Sequence, residues 1–527
     1  MRLVPITSIL LAAVLTACGA VHDRAACGAS TDCPAGQYCA RTSDGNVCWA
    51  DAVPPVVSAV TVACHDPVVD GSTCLRDGIL QVRATITDDK EVAGAEVHLD
   101  VGGAPVPLAR VQGNLWAAEV QLARVPFGYF EHAVVTTVVA RDGARNTASL
   151  EPAGATTVTR HRFARALDTG VFSLGHPAVM ADGTVAAAGT NARVYFVPWD
   201  GGGISSVVSV GTLQITAAPL AAGNSLWVGS EDNKVYQLKT QAGTWVPTER
   251  VDAGGPVRGS LGATSTGYVV ATSDFGVVYA IPEVGVGRNS GVGNPYSLGP
   301  VIDSNDAIYS AAGGTVRKMT ITLGIPGDAW SPATTLSSNV ACALSWSDGV
   351  VVLPNNGSNA FVTRVNTNGD PVQVATTAVS SDGTAVASDG SILVPEQTKT
   401  VSRWTSTGAP FPGWQKPDLG GATRTPLVVT SSAPFLVPTA KGALHALRAD
   451  GTVAWSGQLS AGTASLQPGN IYTPPGQTPG QELSTAYFAG SDGVLHAIIV
   501  DGTLDASAPW PKAFHDPRNT NRAGAQP

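Results

Sequence analysis

The sequence is poor in charge, and positive charge is nowhere concentrated. Only 13% of the 527 residues are charged, and no basic cluster offsets the formal net charge of −9. Nucleic-acid binding depends on clustered lysine and arginine, so we expect no nucleic-acid partner. Long apolar runs are also lacking after the first twenty residues, so no later segment is expected to span a membrane as a helix.

Catalytic motifs are equally scarce. The repeats described below contain no Gly-x-Ser-x-Gly elbow, and the chain has no Walker loop, zinc-protease helix or kinase motif. We therefore predict no catalytic residue, no metal site and no enzymatic activity. What the chain does have is 59 glycines and 36 prolines, a composition that favours many short strands joined by tight turns. The predicted class is all-β.

The N-terminus has the order of features that is typical of an export signal. Arg2 is followed by the apolar run Ile9–Leu15 and then by small residues before Cys18. The segment Leu15-Thr16-Ala17-Cys18 resembles a bacterial lipobox, which implies cleavage after residue 17 and lipidation of Cys18. A membrane-spanning helix is the alternative, but the apolar stretch is shorter than the ~20 residues that a bilayer requires. Gly19 in place of an aspartate favours delivery to the outer membrane.

The eight cysteines divide into a cluster and a few scattered positions. Four lie close together in a short polar stretch, namely Cys27, Cys33, Cys39 and Cys48. In an exported protein this predicts a disulfide-rich module over residues 18–53, with the pairing left open. A zinc site is the alternative, but the spacing is wider than in zinc knuckles and no histidine is interleaved. Cys64 and Cys74 flank a short loop and are expected to pair, and Cys342 is expected to be a buried thiol. The stretches "CPAGQYC" and "DGNVC" resemble cysteine-rich modules of myxobacterial-type surface lipoproteins.

Residues 56–160 show the alternation of apolar and polar positions that two packed sheets require. Examples are Leu80-Val82-Ala84-Ile86, Ala95-Val97-Leu99, Trp116-Ala118-Val120 and Val134-Thr136-Val138-Ala140. The stretch "VVARDGARNTAS" is similar to the end of bacterial immunoglobulin-like domains, with Arg145 standing where glycine is usual. The resemblance implies an immunoglobulin-like β-sandwich. Asp88, Asp89 and Asp142 are candidate calcium ligands, although such carboxylates more often cap turns.

From about residue 165 to residue 527 the chain repeats itself with a period of roughly 41 residues, as expected for propeller blades. One blade cannot bury both of its faces, so the sheets must pack against one another in a closed ring. We predict about eight four-stranded blades, the eighth with strands near residues 486–488 and 495–498. First strands are predicted at Ala178, Leu220, Leu261, Val301, Ala343, Ala385 and Leu427. Tight turns are predicted at Asp182-Gly183, Asp348-Gly349, Asp389-Gly390, Asp450-Gly451 and Asp492-Gly493.

The segment "GALHALRADGTVAW" from Gly442 resembles the repeat of quinoprotein-type (PQQ-like) propellers. The resemblance implies that Trp455 docks between blades, and that His445 and His496 occupy a position where the family has an aromatic residue. We expect both histidines to pack between blades rather than bind metal or transfer protons. The final segment, with Trp510-Pro511, His515-Asp516 and "NTNR", is similar to elements that flank such propellers, with Asn521 in place of a glycine. We expect Trp510, like Trp455, to dock between blades.

Quinoprotein dehydrogenases of this fold need a calcium-coordinating set, a catalytic aspartate and, in many members, a disulfide of adjacent cysteines. The repeat region contains one cysteine, Cys342, and no aspartate with a recognisable partner set. Neither pyrroloquinoline quinone nor calcium is therefore supported by the sequence.

These observations favour a monomeric, non-enzymatic cell-envelope lipoprotein. We expect a lipid anchor in the outer membrane, and a propeller face that holds a protein or peptide. A divergent quinoprotein-type enzyme with its site in the central channel is one alternative. A carbohydrate-binding or adhesive surface protein is another, for which Trp199, Trp346 and Trp404 are candidate exposed aromatics.

Overall fold

The structure is a computed structural model that describes most of the chain. The described residues are 25–43, 45–66, 73–169, 172–291, 299–330, 332–336, 340, 345–347, 349–352, 361–376 and 383–524. The chain divides into two compact units, which we call the first unit and the second unit. The first comprises Met1–His65, Ile79–Gln121 and Val134–Thr156, and the second Asp66–Gly78, Leu122–Ala133 and Thr157–Pro527.

The N-terminal part of the first unit is held by disulfides. An antiparallel hairpin, Gln37–Thr42 and Gly45–Ala50, follows the single-turn helix Ser30–Asp32. The bonds join Cys27 to Cys39 and Cys33 to Cys48. All four sulfurs are thus in disulfides, so the zinc alternative is wrong. Cys64 and Cys74 are disulfide-bonded as well.

Two antiparallel four-stranded sheets that contact one another form the rest of the first unit. In Ile79–Thr87, alternate side chains are buried, which follows the predicted pattern of Leu80, Val82, Ala84 and Ile86. One sheet contains, in spatial order, Val56–Cys64, Ile79–Thr87, Leu115–Gln121 and Ala109–Gln112. The other contains Thr147–Leu150, Thr136–Asp142, Val92–Leu99 and Val106–Pro107.

The turn after Thr136–Asp142 keeps its geometry without the usual glycine. Arg145 adopts a φ of 73°, a left-handed conformation in which glycine is the least strained residue. The Asp142 carboxylate accepts hydrogen bonds from the backbone N–H and the Nδ2 of Asn146, at 2.8 and 2.7 Å. Asp142 therefore caps this turn with both of its oxygens.

Eight sheets of the second unit, in its described residues, form a repeating series that we call blades 1 to 8. Seven have four principal strands, so the predicted all-β propeller of about eight blades is confirmed. Blades 1 to 4 are Ala178–Val179, Val185–Gly189, Arg193–Val197, Ser206–Ser209; Leu220–Ala222, Ser225–Gly229, Lys234–Gln241, Thr244–Asp252; Gly262–Ala263, Tyr268–Thr272, Val277–Pro282, Arg288–Gly291; and Val301–Ile302, Ile308–Ala312, Thr315–Thr322, Ile325–Asp328 with the extra strand Thr334–Thr335. Blades 5 to 8 are Ser345–Trp346, Val350–Val352, Phe361–Val365, Pro371–Thr376; Ala385–Val386, Ile392–Pro395, Val401–Trp404; Leu427–Val428, Phe435–Pro438, Ala443–Leu447, Val453–Gln458; and Asn470–Tyr472, Leu483–Ala489, Val494–Asp501 with His161–Ala166. A separate small sheet consists of Thr73–Leu75, Glu131–Val134 and Thr156–Thr159, and the single-turn helix Leu122–Arg124 lies nearby in the chain.

The ring closes through a strand from the start of the repeat region. His161–Ala166 pairs antiparallel with Val494–Asp501 and completes blade 8, so one sheet joins both ends of the region. First strands of successive blades contact one another from blade 8 through blades 1, 2, 3 and 4, and from blade 5 through blades 6 and 7. The sequence placed the beginning of the repeats at residue 165, whereas this closing strand begins at His161.

Blade 6 has three strands rather than four. Where a fourth strand would follow Val401–Trp404, the chain reads Ala409-Pro410-Phe411-Pro412. Proline lacks the N–H that a sheet ladder needs, so this segment forms a single bridge, between Pro410 and Trp404, rather than a strand. Its backbone bonds to the preceding strand and turn run from the Phe411 N–H to Arg403 and from the Thr405 N–H to Ala409.

The predicted tight turns are present wherever the structure describes them. The glycine of each Asp-Gly pair has a positive φ, from 75° at Gly390 to 135° at Gly349. Such values suit the two-residue turns that reverse neighbouring strands. These aspartates are thus in turns, although Asp348 itself lies outside the described residues.

Candidate functional site

The C-terminal segment, which we define as Leu504–Ala523, lies along the inner edge of the propeller. Its backbone hydrogen-bonds to the first strands of blades 6, 7, 1, 2, 3 and 4 in turn. In six of these bonds a first-strand N–H donates to a carbonyl of the segment, at 2.7 to 2.9 Å. The donor and acceptor pairs are Val386 and Trp510, Val428 and Pro511, Val179 and Pro517, Ala221 and Arg518, Ala263 and Thr520, and Ile302 and Asn521. The segment that the sequence placed beside the propeller therefore lines its centre.

Two buried asparagines fix the path of this segment. Asn519 and Asn521 have φ values of 59° and 52°, and asparagine tolerates this left-handed conformation better than other side-chain-bearing residues. Asn519 Nδ2 donates to the carbonyls of Pro177 and Pro219 at 3.1 and 2.9 Å. Asn521 Nδ2 donates to Ser260 Oγ and to the carbonyl of Leu261 at 2.6 and 3.0 Å. Asn521 thus keeps the backbone that a glycine would adopt and adds two hydrogen bonds.

A buried lysine holds the middle of the segment. Lys512 is 1% exposed, and its Nζ donates to the carbonyls of Ala513 and Asp516 and to Asn519 Oδ1, at 2.6, 2.9 and 2.8 Å. Burial lowers the pKa of Lys512 to about 7, an effect that Asp516 opposes. All three donated bonds go to acceptors of the segment itself, so Lys512 ties the segment into a compact shape.

The centre of the propeller does not fit the quinone cofactor that the family resemblance implies. The backbone of the C-terminal segment lies against the inner strands, and Lys512, Phe514 and Asn519 are buried there. The nearby buried carboxylate, Asp516, accepts hydrogen bonds from the hydroxyl and the backbone N–H of Thr520. Among the described residues, no set of three carboxylates of the kind that holds calcium lies beside this segment.

Two adjoining pockets lie on one face, where the turns between first and second strands of blades 8, 1, 2 and 3 are found. We call it the first-turn face. Pocket A, about 350 Å³, is lined by blades 2 and 3 together with Arg518, Thr520 and Arg522. Pocket B, about 460 Å³, is lined by blades 8 and 1 together with Leu504, Pro517 and Arg518. Arg518 lines both, so the two depressions share a cationic residue, and their walls are of mixed polar and apolar character.

The walls of pocket A combine aromatic and charged side chains. Trp227 forms its buried floor, and Tyr268 is half-buried at its side. Arg522 pairs with Asp306, with Nε 3.1 Å from Oδ1, which orients the guanidinium at the rim. Two acids also line the pocket, the exposed Glu283 and the buried Asp516. Such a mixture suits an extended ligand with apolar and acidic groups.

The predicted blade-docking residues occupy several distinct positions. Trp455 is 8% exposed and lies in a hydrophobic cluster of blades 7 and 8, with the Arg160 guanidinium 5.2 Å from the centroid of its ring. Buried His496 of blade 8 hydrogen-bonds to Ser460 Oγ, which follows blade 7, at 2.8 Å, whereas His445 bonds to Ser456 within blade 7. Trp510 is fully buried in the C-terminal segment and packs with residues of blades 4, 5 and 6.

Other predicted residues lie elsewhere or outside the described ranges. Trp199, Trp346 and Trp404 are half-buried and pack against hydrophobic clusters, so the expectation that they are exposed is wrong. Cys18 and Cys342 lie outside the described residues. The helices that the structure describes are single turns, none with the length and hydropathy of a membrane span.

Acid is expected to destabilise the propeller through His496. Burial, followed by the nearby His161, lowers the pKa of His496 from 6.5 to about 4. Between pH 4 and pH 6.5 the His496 imidazole is protonated in the unfolded chain but neutral in the folded chain. The stability that is present above about pH 6.5 is therefore lost as the pH falls to 4. The loss is at most about 3 kcal/mol. Urea denaturation at pH 7 and pH 4 should show it for the native protein and a smaller loss for His496→Gln.

An equal loss of stability in the native protein and in His496→Gln would contradict the assignment to His496.

Comparisons with known proteins concern the fold alone. No protein-family model matches the sequence, and no curated protein matches it. BamB from Moraxella catarrhalis is 15% identical, with a TM-score of 0.48 over 64% of this chain and 96% of its own. Sqt1 from Saccharomyces cerevisiae is 12% identical, with a TM-score of 0.48 over 64% of this chain and 98% of its own. The computationally designed protein Ika8 is 14% identical, with the same TM-score over 64% and 98%. The fold assignment rests on the strand pairings of this chain, which define a β-propeller with a C-terminal segment along its inner strands.

Arg518, Thr520, Arg522 and Tyr268 line pocket A, although none of them was predicted from the sequence as a site residue. A signal was present, because the last twenty residues do not fit the repeat and yet contain the apolar, buried-type Trp510 and Phe514. Residues that leave the repeat pattern without becoming polar are expected to pack somewhere on the repeats.

Proposed function

We propose that this protein is a non-enzymatic binding or scaffold lipoprotein of the cell envelope, which holds a protein or peptide on the first-turn face. The observation that carries this proposal is the pair of pockets that share Arg518, on a face where the C-terminal segment hydrogen-bonds to the first strands. A rigid concave face with few precisely held polar groups suits recognition without chemistry. The lipobox ending at Cys18 supports anchoring at a membrane. The absence of a carboxylate cluster beside the C-terminal segment, among the described residues, argues against a quinoprotein enzyme with its site there.

Site-specific photo-crosslinking in intact cells tests the binding face. The photoreactive residue p-benzoylphenylalanine is placed at Tyr268 of pocket A in one version of the protein, and at Phe275 in another. Phe275 is 69% exposed in the turn between the second and third strands of blade 3, so it reports on the other end of the same blade. We expect one reproducible protein adduct from position 268, none from position 275, and loss of the adduct when Arg518→Glu is added.

The absence of any adduct from position 268, or the same adduct from both positions, would reject the first-turn face as the binding surface. Arg518→Glu reverses one charge beside both pockets, and its own fold is checked by the urea midpoint of the purified protein.

A further inference from the structure

Three carboxylates from separate parts of the first unit converge. Asp51 follows the disulfide-bonded hairpin, and Asp88 and Asp89 lie in the turn between Ile79–Thr87 and Val92–Leu99. One carboxylate oxygen of each lies within 4.8 Å of the others. Like charges at such distances repel one another, so the arrangement is unfavourable unless a cation is bound between them.

Two oxygens of this cluster are buried and have no hydrogen-bond donor. Asp51 is only 7% exposed; its Oδ1 accepts the N–H of Val53 at 3.0 Å, but its Oδ2 is buried without a partner. Asp88 is similar, because its Oδ1 accepts the N–H groups of Lys90 and Glu91, both at 2.8 Å, while its Oδ2 is buried and unpartnered. Buried anionic oxygens without donors cost free energy that a bound cation would recover.

The lysine beside this cluster, Lys90, is not a partner of the two buried oxygens. Lys90 Nζ lies 2.9 Å from Asp89 Oδ2, and both side chains are more than 40% exposed. This pair is at the solvent edge, and it leaves negative charge in excess around the buried oxygens of Asp51 and Asp88. The sequence suggested Asp142 as a ligand together with Asp88 and Asp89. Both Asp142 carboxylate oxygens instead accept hydrogen bonds from Asn146.

We propose that Asp51, Asp88 and Asp89 bind one Ca²⁺ ion, which ties the disulfide-rich N-terminal segment to the sheet turn within the first unit. Calcium takes oxygen ligands at about 2.3–2.6 Å, so two oxygens that share an ion are at most about 5 Å apart, as these are. Water and backbone carbonyls supply its remaining positions, and Ca²⁺ tolerates such irregular geometry where Mg²⁺ does not.

Terbium luminescence and calorimetry test this site on the full-length chain. Trp49 lies two residues before Asp51, so excitation of tryptophan should sensitise a Tb³⁺ ion bound there, and added Ca²⁺ should quench the signal by displacement. Calorimetric titration with Ca²⁺ should show one equivalent bound. Asp51→Asn, which retains an acceptor for Val53, should weaken Ca²⁺ binding at least tenfold, and Lys90→Gln should tighten it several-fold by removing the competing ammonium.

Asp182→Asn is the matched control, since Asp182 caps a propeller turn by accepting the N–H of Thr184 and should leave binding unchanged. The proposal is overturned if neither Tb³⁺ nor Ca²⁺ binds at millimolar concentration, or if Asp51→Asn binds as tightly as the native chain. Because Lys90→Gln is expected to bind more tightly, loss of binding through misfolding cannot be mistaken for support.

Discussion

Replacing Trp510 with alanine is expected to lower the free energy of unfolding by about 3–5 kcal/mol. Trp510 is fully buried, exchanges backbone hydrogen bonds with Val386 and packs against residues of blades 4, 5 and 6. The substitution removes the largest side chain of the C-terminal segment and leaves a cavity at the inner edge of several blades. Urea denaturation followed by tryptophan-independent far-ultraviolet circular dichroism measures the change.

Two further variants make this result specific. The Nε1 of Trp510 has no hydrogen-bond partner among the described residues, so Trp510→Phe loses packing area only and should cost less than half as much. Phe275→Ala, at a 69% exposed position, should change stability by no more than about 0.5 kcal/mol. A cost below about 1 kcal/mol for Trp510→Ala would show that the C-terminal segment is not part of the propeller core.

Replacing Arg160 with alanine is expected to cost about 3 kcal/mol. Arg160 is 1% exposed and directly precedes the closing strand His161–Ala166. Its guanidinium donates to the carbonyls of Phe127, Tyr129 and Ile499 and to Asp501 Oδ2, the last at 2.6 Å. The half-exposed Asp501 can be hydrated after the substitution, so most of the loss comes from buried carbonyls left without a donor. Thermal unfolding of the purified variant measures it.

Arg317→Ala is the matched control for Arg160→Ala. Arg317 pairs with Asp328 at 2.9 Å, but 23% and 41% of the two side chains are exposed. Exposed pairs contribute little, so this variant should lose less than about 1 kcal/mol. Arg160→Lys should recover only part of the stability, because one ammonium does not span four separated acceptors. Equal effects of Arg160→Ala and Arg317→Ala would contradict the role given to Arg160.

The blades were predictable because they repeat. First strands begin at Ala178, Leu220, Val301, Ala385 and Leu427, where the sequence predicted them. Leu261 is one residue before its strand, and Ala343 lies outside the described residues. A period of roughly 41 residues is visible without coordinates, since each copy carries the same strand and turn signals.

At two positions the chain has another residue where the motifs that it resembles have glycine, and the structure shows how the turn is made there. Arg145 and Asn521 both stand where glycine is usual, and both adopt positive φ values of 73° and 52°. The turns are therefore retained, and in each case the new side chain makes a specific contact or tolerates the left-handed backbone.

The candidate site was not predictable from local patterns. Arg518, Thr520 and Arg522 line pocket A because the backbone of Leu504–Ala523 follows first strands that lie far away in sequence. Nothing local to "NTNRA" indicates which strand edges it will meet. The same holds for Asp51, which lies beside Asp88 and Asp89 although it is distant from them in sequence. Asn146, directly before a sheet strand, donates a hydrogen bond to the Asp51 carbonyl at 3.1 Å, a contact that no local pattern indicates.

The amino-acid sequence by itself determined the all-β class, the repeat period, the turn positions and the disulfide-rich N-terminal segment. These properties follow from short-range rules: alternation, glycine conformation and cysteine spacing. Only the tertiary structure decided that the C-terminal segment lies along the inner strands, that His161–Ala166 closes the ring, and which carboxylates meet. In each case, backbone hydrogen-bonding groups or buried charges find partners that lie far away in the sequence. No short stretch of sequence shows which partners those will be.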